Sequence, residues 1–182
     1  MKNRSFQLSI ATPDGQFVAR YSAQGLVELK FPANGRADRL VGQDAQAPRQ
    51  NSVGAGRVPT NNIPARIHTW HRKTVAALKN TLAGCAPKNL PPLDLSAGTE
   101  FQQQVWSVMR KISIGRTKSY GEIAQAIGKP KAVRPVGGAC GANPIPVLVP
   151  CHRVLAAHGK IGGFGGGLDW KRTLLAREGI AL

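Results

Sequence analysis

The grouping best suited to chemistry in this chain of 182 residues is Pro150-Cys151-His152-Arg153-Val154. The nucleophile at a cysteine is the thiolate. A free thiol ionises near pH ~8.5, and a helix N-terminus or positive neighbours lower that value. Cys151 follows an apolar run, precedes a helical turn and has His152 and Arg153 beside it, which is the setting of an activated nucleophile. Taken alone, the pair fits more simply a buried structural cysteine beside a histidine, and both readings stand on these residues. Cys85 and Cys140 lack this setting. A papain-type protease fits poorly, because its histidine is distant in sequence and its cysteine signature differs.

The elements that must position Cys151 are legible on both sides of it. Residues 143–150 alternate proline with apolar residues and read as an extended strand delivering the cysteine. Six glycines fall within 159–167 and could bring backbone close to a ligand. No Gly-Lys-Ser/Thr follows them, which discounts a phosphate loop. Asp169 reads as the cap of a last helix over 170–178, stopped by Gly179. Upstream, Thr99 with Gln102 forms a capping box for a helix over 100–111, with Phe101, Val105, Trp106, Val108 and Met109 inward. Ser119 with Glu122 repeats the pattern for a short helix through Ile127. Gly128-Lys129-Pro130-Lys131 then breaks the chain before a second short helix over 133–139, a helix-turn-helix signature. Pro135 requires that second helix to start near Val133 or Arg134, because proline is tolerated only in the first turn. Arg134 then lies where a helix could meet DNA.

The first half reads differently. Residues 5–31 alternate in strand fashion, with turn signals at Pro13-Asp14-Gly15 and Gln24-Gly25, and predict a three-stranded antiparallel meander. Residues 42–64 read as a long flexible loop, and 67–83 as a helix ended by Gly84. The fold class is thus α/β in the α+β sense. A small N-terminal antiparallel sheet with a helix (1–92) precedes a helical C-terminal domain (93–182), which carries a winged-helix-like helix-turn-helix and an active-site strand.

Composition narrows the partners. The 25 Lys and Arg against 9 Asp and Glu leave a formal net charge of +16, and hydrophobic residues make up 42% of the chain. A disordered basic tail would be poorer in them. Nine bases (Arg110, Lys111, Arg116, Lys118, Lys129, Lys131, Arg134, Arg153 and Lys160) share residues 101–168 with one acid, Glu122. A polyanion is the natural partner; a solvated basic surface is the plainer alternative. No apolar run reaches the ~18 residues of a membrane span. The N-terminus does not read as a secretion signal, and three scattered cysteines make no disulfide framework. A soluble cytosolic protein is expected.

Read together, the motifs from Gly98 to Gly179 resemble the O6-alkylguanine-DNA alkyltransferases, or methylated-DNA–protein-cysteine methyltransferases. The matching segments are Phe-Gln-Gln-Gln-Val-Trp at 101–106, Ser-Tyr-Gly-Glu-Ile-Ala at 119–124, Gly-Lys-Pro-Lys-Ala-Val-Arg at 128–134 and Val-Gly-Gly-Ala at 136–139. Asn-Pro-Ile-Pro at 143–146, Pro-Cys-His-Arg-Val at 150–154, Gly-Gly-Gly-Leu at 165–168 and Leu-Leu-Ala-Arg-Glu-Gly at 174–179 follow in order.

The resemblance implies a function and a role for each matched position. The protein would repair DNA by moving an alkyl group from O6-alkylguanine, and from O4-alkylthymine, irreversibly and once per molecule, onto Cys151. Glu178 and His152 would form a relay that generates the thiolate through a water. Tyr120 would donate a hydrogen bond to the leaving guanine and crowd its phosphate. Asn143 would tie the helix-turn-helix to the active-site strand. Arg134 would fill the gap left by the flipped nucleotide, with Tyr120, Gly121, Lys129, Lys131 and Ala132 also meeting DNA. Pro146, Val154, Phe164 and Gly165 would line the guanine pocket. Double-stranded DNA bound through its minor groove is the implied partner. The protein would be a cytoplasmic, nucleoid-associated monomer (nuclear in a eukaryote), with cooperativity on DNA left open. Cys85, His68 and His71 do not match the zinc ligand set of some members, so no metal and no cofactor is expected. Glu178 at a helix C-terminus opposes the helix dipole, which suggests a specific partner. Pro135, Cys140 and the absence of a hydroxyl at Phe164-Gly165 depart from the family pattern.

Overall fold

A computed structural model describes residues 5–33 and 63–182. The loop expected near 42–64 lies outside the described residues except for its last two positions. The N-terminal strands are β1 (Phe6–Thr12), β2 (Gly15–Tyr21) and β3 (Leu26–Lys30), antiparallel in the order β1-β2-β3. Thr12 pairs with Gly15 across the hairpin, and Gly15 takes φ +118 there. That backbone region is costly for a side chain and open to glycine. Alternation puts Phe6, Ile10, Phe17, Ala19 and Tyr21 on the buried face, and a register shift between β2 and β3 at Arg20/Tyr21 lets Leu26 and Leu29, three residues apart, both be buried.

Helix α1 (Ala65–Leu82) covers that face through Ile67, Ala77, Leu78 and Leu82, and Tyr21 Oη pairs with His71 Nδ1 at 3.1 Å. The free edge of β3 faces the second half of the chain. Leu29 N–H donates to Pro144 C=O at 2.9 Å, and Leu26 N–H to Pro92 C=O at 2.8 Å. One continuous apolar core therefore runs from the sheet through to the last helix.

In the second half, α2 (Glu100–Met109) and α3 (Tyr120–Ala126) begin at the two expected capping boxes, Thr99 with Gln102 and Ser119 with Glu122. Helix α4 (Val133–Gly141) starts where Pro135 requires, with the proline in its first turn. Val136, Ala139 and Cys140 pack inward, and Trp106 Nε1–H donates to Ala139 C=O at 2.8 Å. Two short parallel strands, β4 (Lys118–Ser119) and β5 (Val154–Leu155), pair Lys118 with Val154 and Ser119 with Leu155. This places the start of α3, and so Tyr120, beside the segment that leaves Cys151. Helix α5 (Leu168–Arg177) closes the chain.

Two local expectations fail. Residues 144–150 are not a strand but a series of turns, in which Val147 takes φ +71 and Val149 N–H closes onto Ile145 C=O at 2.9 Å. Pro144, Pro146 and Pro150 lack the N–H donors a ladder needs, so apolar burial here proceeds without sheet pairing. Asp169 does not cap α5. Gly167 is the N-cap, with φ 91, and Asp169 sits in the first turn, 3.4 Å from Arg172.

Arg177, at the end of α5, makes two 2.7 Å hydrogen bonds to the Asp14 carboxylate in the β1–β2 turn and a third, at 3.1 Å, to the Leu82 carbonyl. This pairing anchors the last turn of α5 to the N-terminal sheet and helix. Among the described residues, no helix is long and apolar enough to cross a membrane.

Candidate active site

Cys151 opens a single helical turn (Cys151–Arg153) between the proline-rich turns and β5, and is 7% exposed. Asn143, just past α4, holds it from the side. One Asn143 Nδ2–H donates to Cys151 Sγ at 3.1 Å and the other to Val149 C=O at 2.8 Å, while Oδ1 accepts from Ile145 N–H at 3.0 Å. Every polar atom of this amide is used, which fixes its orientation without ambiguity.

His152 is fully buried. Its Nε2 lies 2.9 Å from Glu178 Oε1, at the C-terminal end of α5. Arg153 completes the group. Its Nε donates to Glu178 Oε2 at 2.9 Å, one terminal nitrogen donates to Oε1 at 2.8 Å, and the other donates to Ile112 C=O at 2.6 Å. Burial alone would raise the Glu178 pKa, but the hydrogen bonds and charges of His152 and Arg153 outweigh it and bring it down to about 2. Glu178 is therefore a carboxylate at neutral pH and can only accept. His152 must donate from Nε2, so in the neutral ring Nδ1 carries the lone pair. Burial keeps the imidazole below its usual range despite the pull of Glu178, and among the described residues Nδ1 is buried without a hydrogen-bond partner. The side chain is a neutral base with its accepting nitrogen free.

The thiol itself departs from expectation. Burial pushes the Cys151 pKa up, against the opposing hydrogen bond from Asn143 and the charge of Lys171. His152 and Arg153 do not depress it as their adjacency suggested, because one is neutral and the other is cancelled by Glu178. At rest the site holds a thiol, which would have to lose its proton to act as a nucleophile.

Cys151 borders two connected depressions. The smaller, about 170 Å³, is lined by Tyr120, Gly137, Cys140, Gly141, Gly163, Phe164 and Gly165. The larger, about 460 Å³, adds Asn143, Pro146, Trp170 and Phe31. The structure thus brings Tyr120, Asn143, Pro146, Phe164 and Gly165 around the sulfur. Val154 is fully buried and lines neither depression. Half-buried Tyr120 has its pKa raised by burial, so its hydroxyl is a donor at neutral pH. Phe31, at the end of β3, meets Phe164 edge-on at 5.8 Å and Trp170 at 5.0 Å. A Cβ at Gly166 would lie only 2.5 Å from the Phe31 ring. The N-terminal sheet therefore supplies a wall of the cavity.

Lys129, Lys131 and Arg134 are exposed and Ala132 half-exposed, along the α3–α4 turn and the first turn of α4. Lys129 rests its ammonium over the Phe101 ring at 5.3 Å. Gly121 is half-exposed beside Tyr120 at the start of α3.

Two charged residues escaped the sequence reading. Composition groups Arg153 with the bases that could face a polyanion, yet it is 5% exposed and turned inward. Its signal was its place between Val147-Leu148-Val149 and Val154-Leu155, a run that reads as buried. Lys171 is fully buried and donates to Val154 C=O at 2.6 Å and to Gly163 C=O at 3.2 Å. Its position on the Trp170, Leu174, Leu175 stripe of α5 was the clue.

Residues 100–180 match the family model for the 6-O-methylguanine DNA methyltransferase DNA-binding domain. A methylated-DNA–protein-cysteine methyltransferase of Mycolicibacterium paratuberculosis is 59% identical over 86 residues, 47% of this chain. One from Mycobacterium leprae is 49% identical over 106 residues, 58% of this chain and 64% of that protein. The chain spans about half the length of the first of these curated relatives, 52%. The likeness to a crystal structure of Mycobacterium tuberculosis OGT in complex with DNA extends further. It covers 94% of this chain and 91% of that one, at 34% identity and a TM-score of 0.69. Sharing the motifs of the family model and a fold matched along nearly its whole length, the chain belongs to the O6-alkylguanine-DNA alkyltransferase family.

Proposed function

We propose that the protein repairs alkylated guanine in DNA by moving the alkyl group onto Cys151 once, without turnover. The observation that carries this reading is the Asn143–Cys151 and His152–Glu178–Arg153 arrangement at the floor of a cavity faced by Tyr120. The Cys151 proton passes, through a bridging water, to the free Nδ1 of His152, and Glu178 stabilises the imidazolium. The sulfur then attacks the alkyl carbon: the S–C bond forms as the C–O6 bond breaks. Guanine leaves with the bond's electrons and accepts the Tyr120 hydrogen bond as charge develops. The product thioether is a poor leaving group, so the sulfur keeps the alkyl.

DNA docks through its minor groove on the α3–α4 turn and α4, with Lys129, Lys131, Ala132, Gly121 and Arg134 along the contact. The O6 substituent is sequestered in the duplex, so the nucleotide is flipped into the cavity, with Arg134 filling the gap. Pro146, Phe164 and Gly165 hold the flipped base. O4-alkylthymine is a second substrate of the same site. The protein works as a monomer in the cytoplasm. Residues 1–92 act as a scaffold domain for the acceptor domain at 93–182, and no cofactor takes part.

Incubation with an O6-methylguanine oligonucleotide followed by mass spectrometry tests the reading. One methyl is expected on Cys151 and none in Cys151→Ala; unchanged wild-type mass with tight lesion binding overturns it. Arg134→Ala tests flipping. It is expected to slow repair of duplex DNA roughly tenfold or more while sparing reaction with free O6-benzylguanine, because only the duplex must be opened. Equal loss on both substrates would remove Arg134 from that role.

A further inference from the structure

Lys171 is a buried charge that the reaction as described does not use. Among the described residues, Arg153 and Glu178 neutralise each other, whereas Lys171 is fully buried and no carboxylate pairs with it. An ammonium taken out of water costs several kcal/mol unless it is compensated. Two carbonyls compensate it only in part. On the same stripe of α5 stand Trp170, Leu174 and Leu175, so an apolar residue would serve the fold at lower cost. The reason for the charge therefore lies in what it faces.

Its two carbonyl partners belong to the segments that frame the sulfur. Val154 follows Cys151 by three positions on β5, and Gly163 lines the cavity with Cys151 and Tyr120. The charged and titratable groups around this point are Cys151, His152 and Arg153 of the helical turn, Cys140 of α4, Tyr120 of α3 and Glu178 after α5. Cys140 is a high-pKa thiol, pushed up to about 12 chiefly by burial. Tyr120 stays protonated, His152 is neutral at rest, and Arg153 and Glu178 cancel. The group left to become the counter-ion of Lys171 is the Cys151 thiolate, because the ammonium is bound to Gly163, which shares the cavity wall with Cys151, and to Val154, three residues after it.

We propose that Lys171 is a positioning residue of the acceptor site: held by the Val154 and Gly163 carbonyls, its ammonium is the standing counter-charge for the Cys151 thiolate and pins the glycine loop beside it. The proposal rests on Cys151 as the alkyl acceptor. The same positive charge disfavours the His152 imidazolium, which is the charge Glu178 is placed to stabilise. Each partner of the transient ion pair thus has its own fixed counter-charge.

The test follows Cys151 carbamidomethylation by iodoacetamide across a pH series, localised by peptide mass spectrometry, in the full-length wild type, Lys171→Met and Lys171→Arg. The Met variant is expected to raise the midpoint by about one pH unit, a tenfold loss of thiolate at neutral pH, and the Arg variant to stay near wild type. Transfer from a methylated oligonucleotide is expected to fall about tenfold in the Met variant at neutral pH and to recover as pH rises, which a packing defect would not do. A folded Met variant with the wild-type midpoint, or an Arg variant shifted as far as the Met variant, overturns the proposal.

Coupling is reciprocal, so a second measurement leaves Lys171 intact. By NMR, the Lys171 ammonium is expected to titrate about one unit higher in wild type than in Cys151→Ala, and equal values overturn the proposal even if the Met variant does not fold. Failure of the wild type to take methyl from DNA, with its iodoacetamide profile shifted as expected by Lys171→Met, would count against the acceptor reading and leave the counter-charge standing.

Discussion

Glu178→Gln is expected to lower stability by about 3–5 kcal/mol and to slow alkyl transfer on the order of a hundredfold. The stability loss comes from Arg153. Its guanidinium is 5% exposed and makes three contacts of 2.8–3.2 Å with this carboxylate. A neutral amide leaves that charge buried and unpaired. The rate loss comes from His152, whose imidazolium would no longer have a negative partner.

The double variant Glu178→Gln/Arg153→Met separates the two effects. Removing the stranded charge should restore most of the stability, read from urea midpoints, and none of the rate, read from methyl transfer. Recovery of both together would mean that the pair is purely structural.

The same groups set the acid response. The folded-state pKa of Glu178, about 2, lies below its ordinary 4.5. Its contribution, on the order of 3 kcal/mol, is complete above pH 4.5 and drains away as pH falls toward 2. His152 is shifted below 6.5, so the unfolded chain takes up its proton first and stability begins to fall below that pH. Wild type should therefore weaken from about pH 6.5 downward. The stability gap between wild type and Glu178→Gln should close between pH 4.5 and 2.

Asn143→Ala is expected to cost about 2–4 kcal/mol and to slow transfer roughly tenfold to a hundredfold, because one side chain serves three partners. Its loss strands the N–H of fully buried Ile145, leaves the Val149 carbonyl with only the Cys151 N–H at 2.8 Å, and removes the donor at Cys151 Sγ. Asn143→Asp divides these roles. The carboxylate still accepts from Ile145, but it sets an acceptor against the Val149 carbonyl, donates nothing to sulfur and places a like charge beside the forming thiolate. Its transfer rate should fall below that of Asn143→Ala at neutral pH, with the Cys151 midpoint moved upward. A faster Asp variant would show that the amide acts on the backbone alone.

Several elements were legible because their causes are local. The two capping boxes, the start of α4 at Pro135 and the β1–β2 hairpin each depend on residues within about four positions of one another. The proline-spaced run before Cys151 was misread because apolar burial and strand pairing usually coincide. Here three missing N–H donors part them. Asp169 was misread because a cap is decided by backbone direction, and Gly167 supplies the turn two residues earlier.

By itself the sequence determined the candidate nucleophile Cys151, its histidine neighbour, the order of the family's motifs and the basic α3–α4 turn. Each is carried by residue identity or short-range spacing. Only the tertiary structure decided where Arg153 points, that Cys151 rests as a thiol, that Lys171 is buried behind it and that Phe31 walls the cavity. Those outcomes depend on contacts between residues 31 and 164, 112 and 153, 143 and 151, 153 and 178, and 154 and 171. A charge beside a cysteine in sequence lowers its pKa only if packing leaves that charge unpaired. Here packing paired Arg153 with Glu178 and left Lys171, twenty positions away, as a buried cation with no carboxylate partner among the described residues.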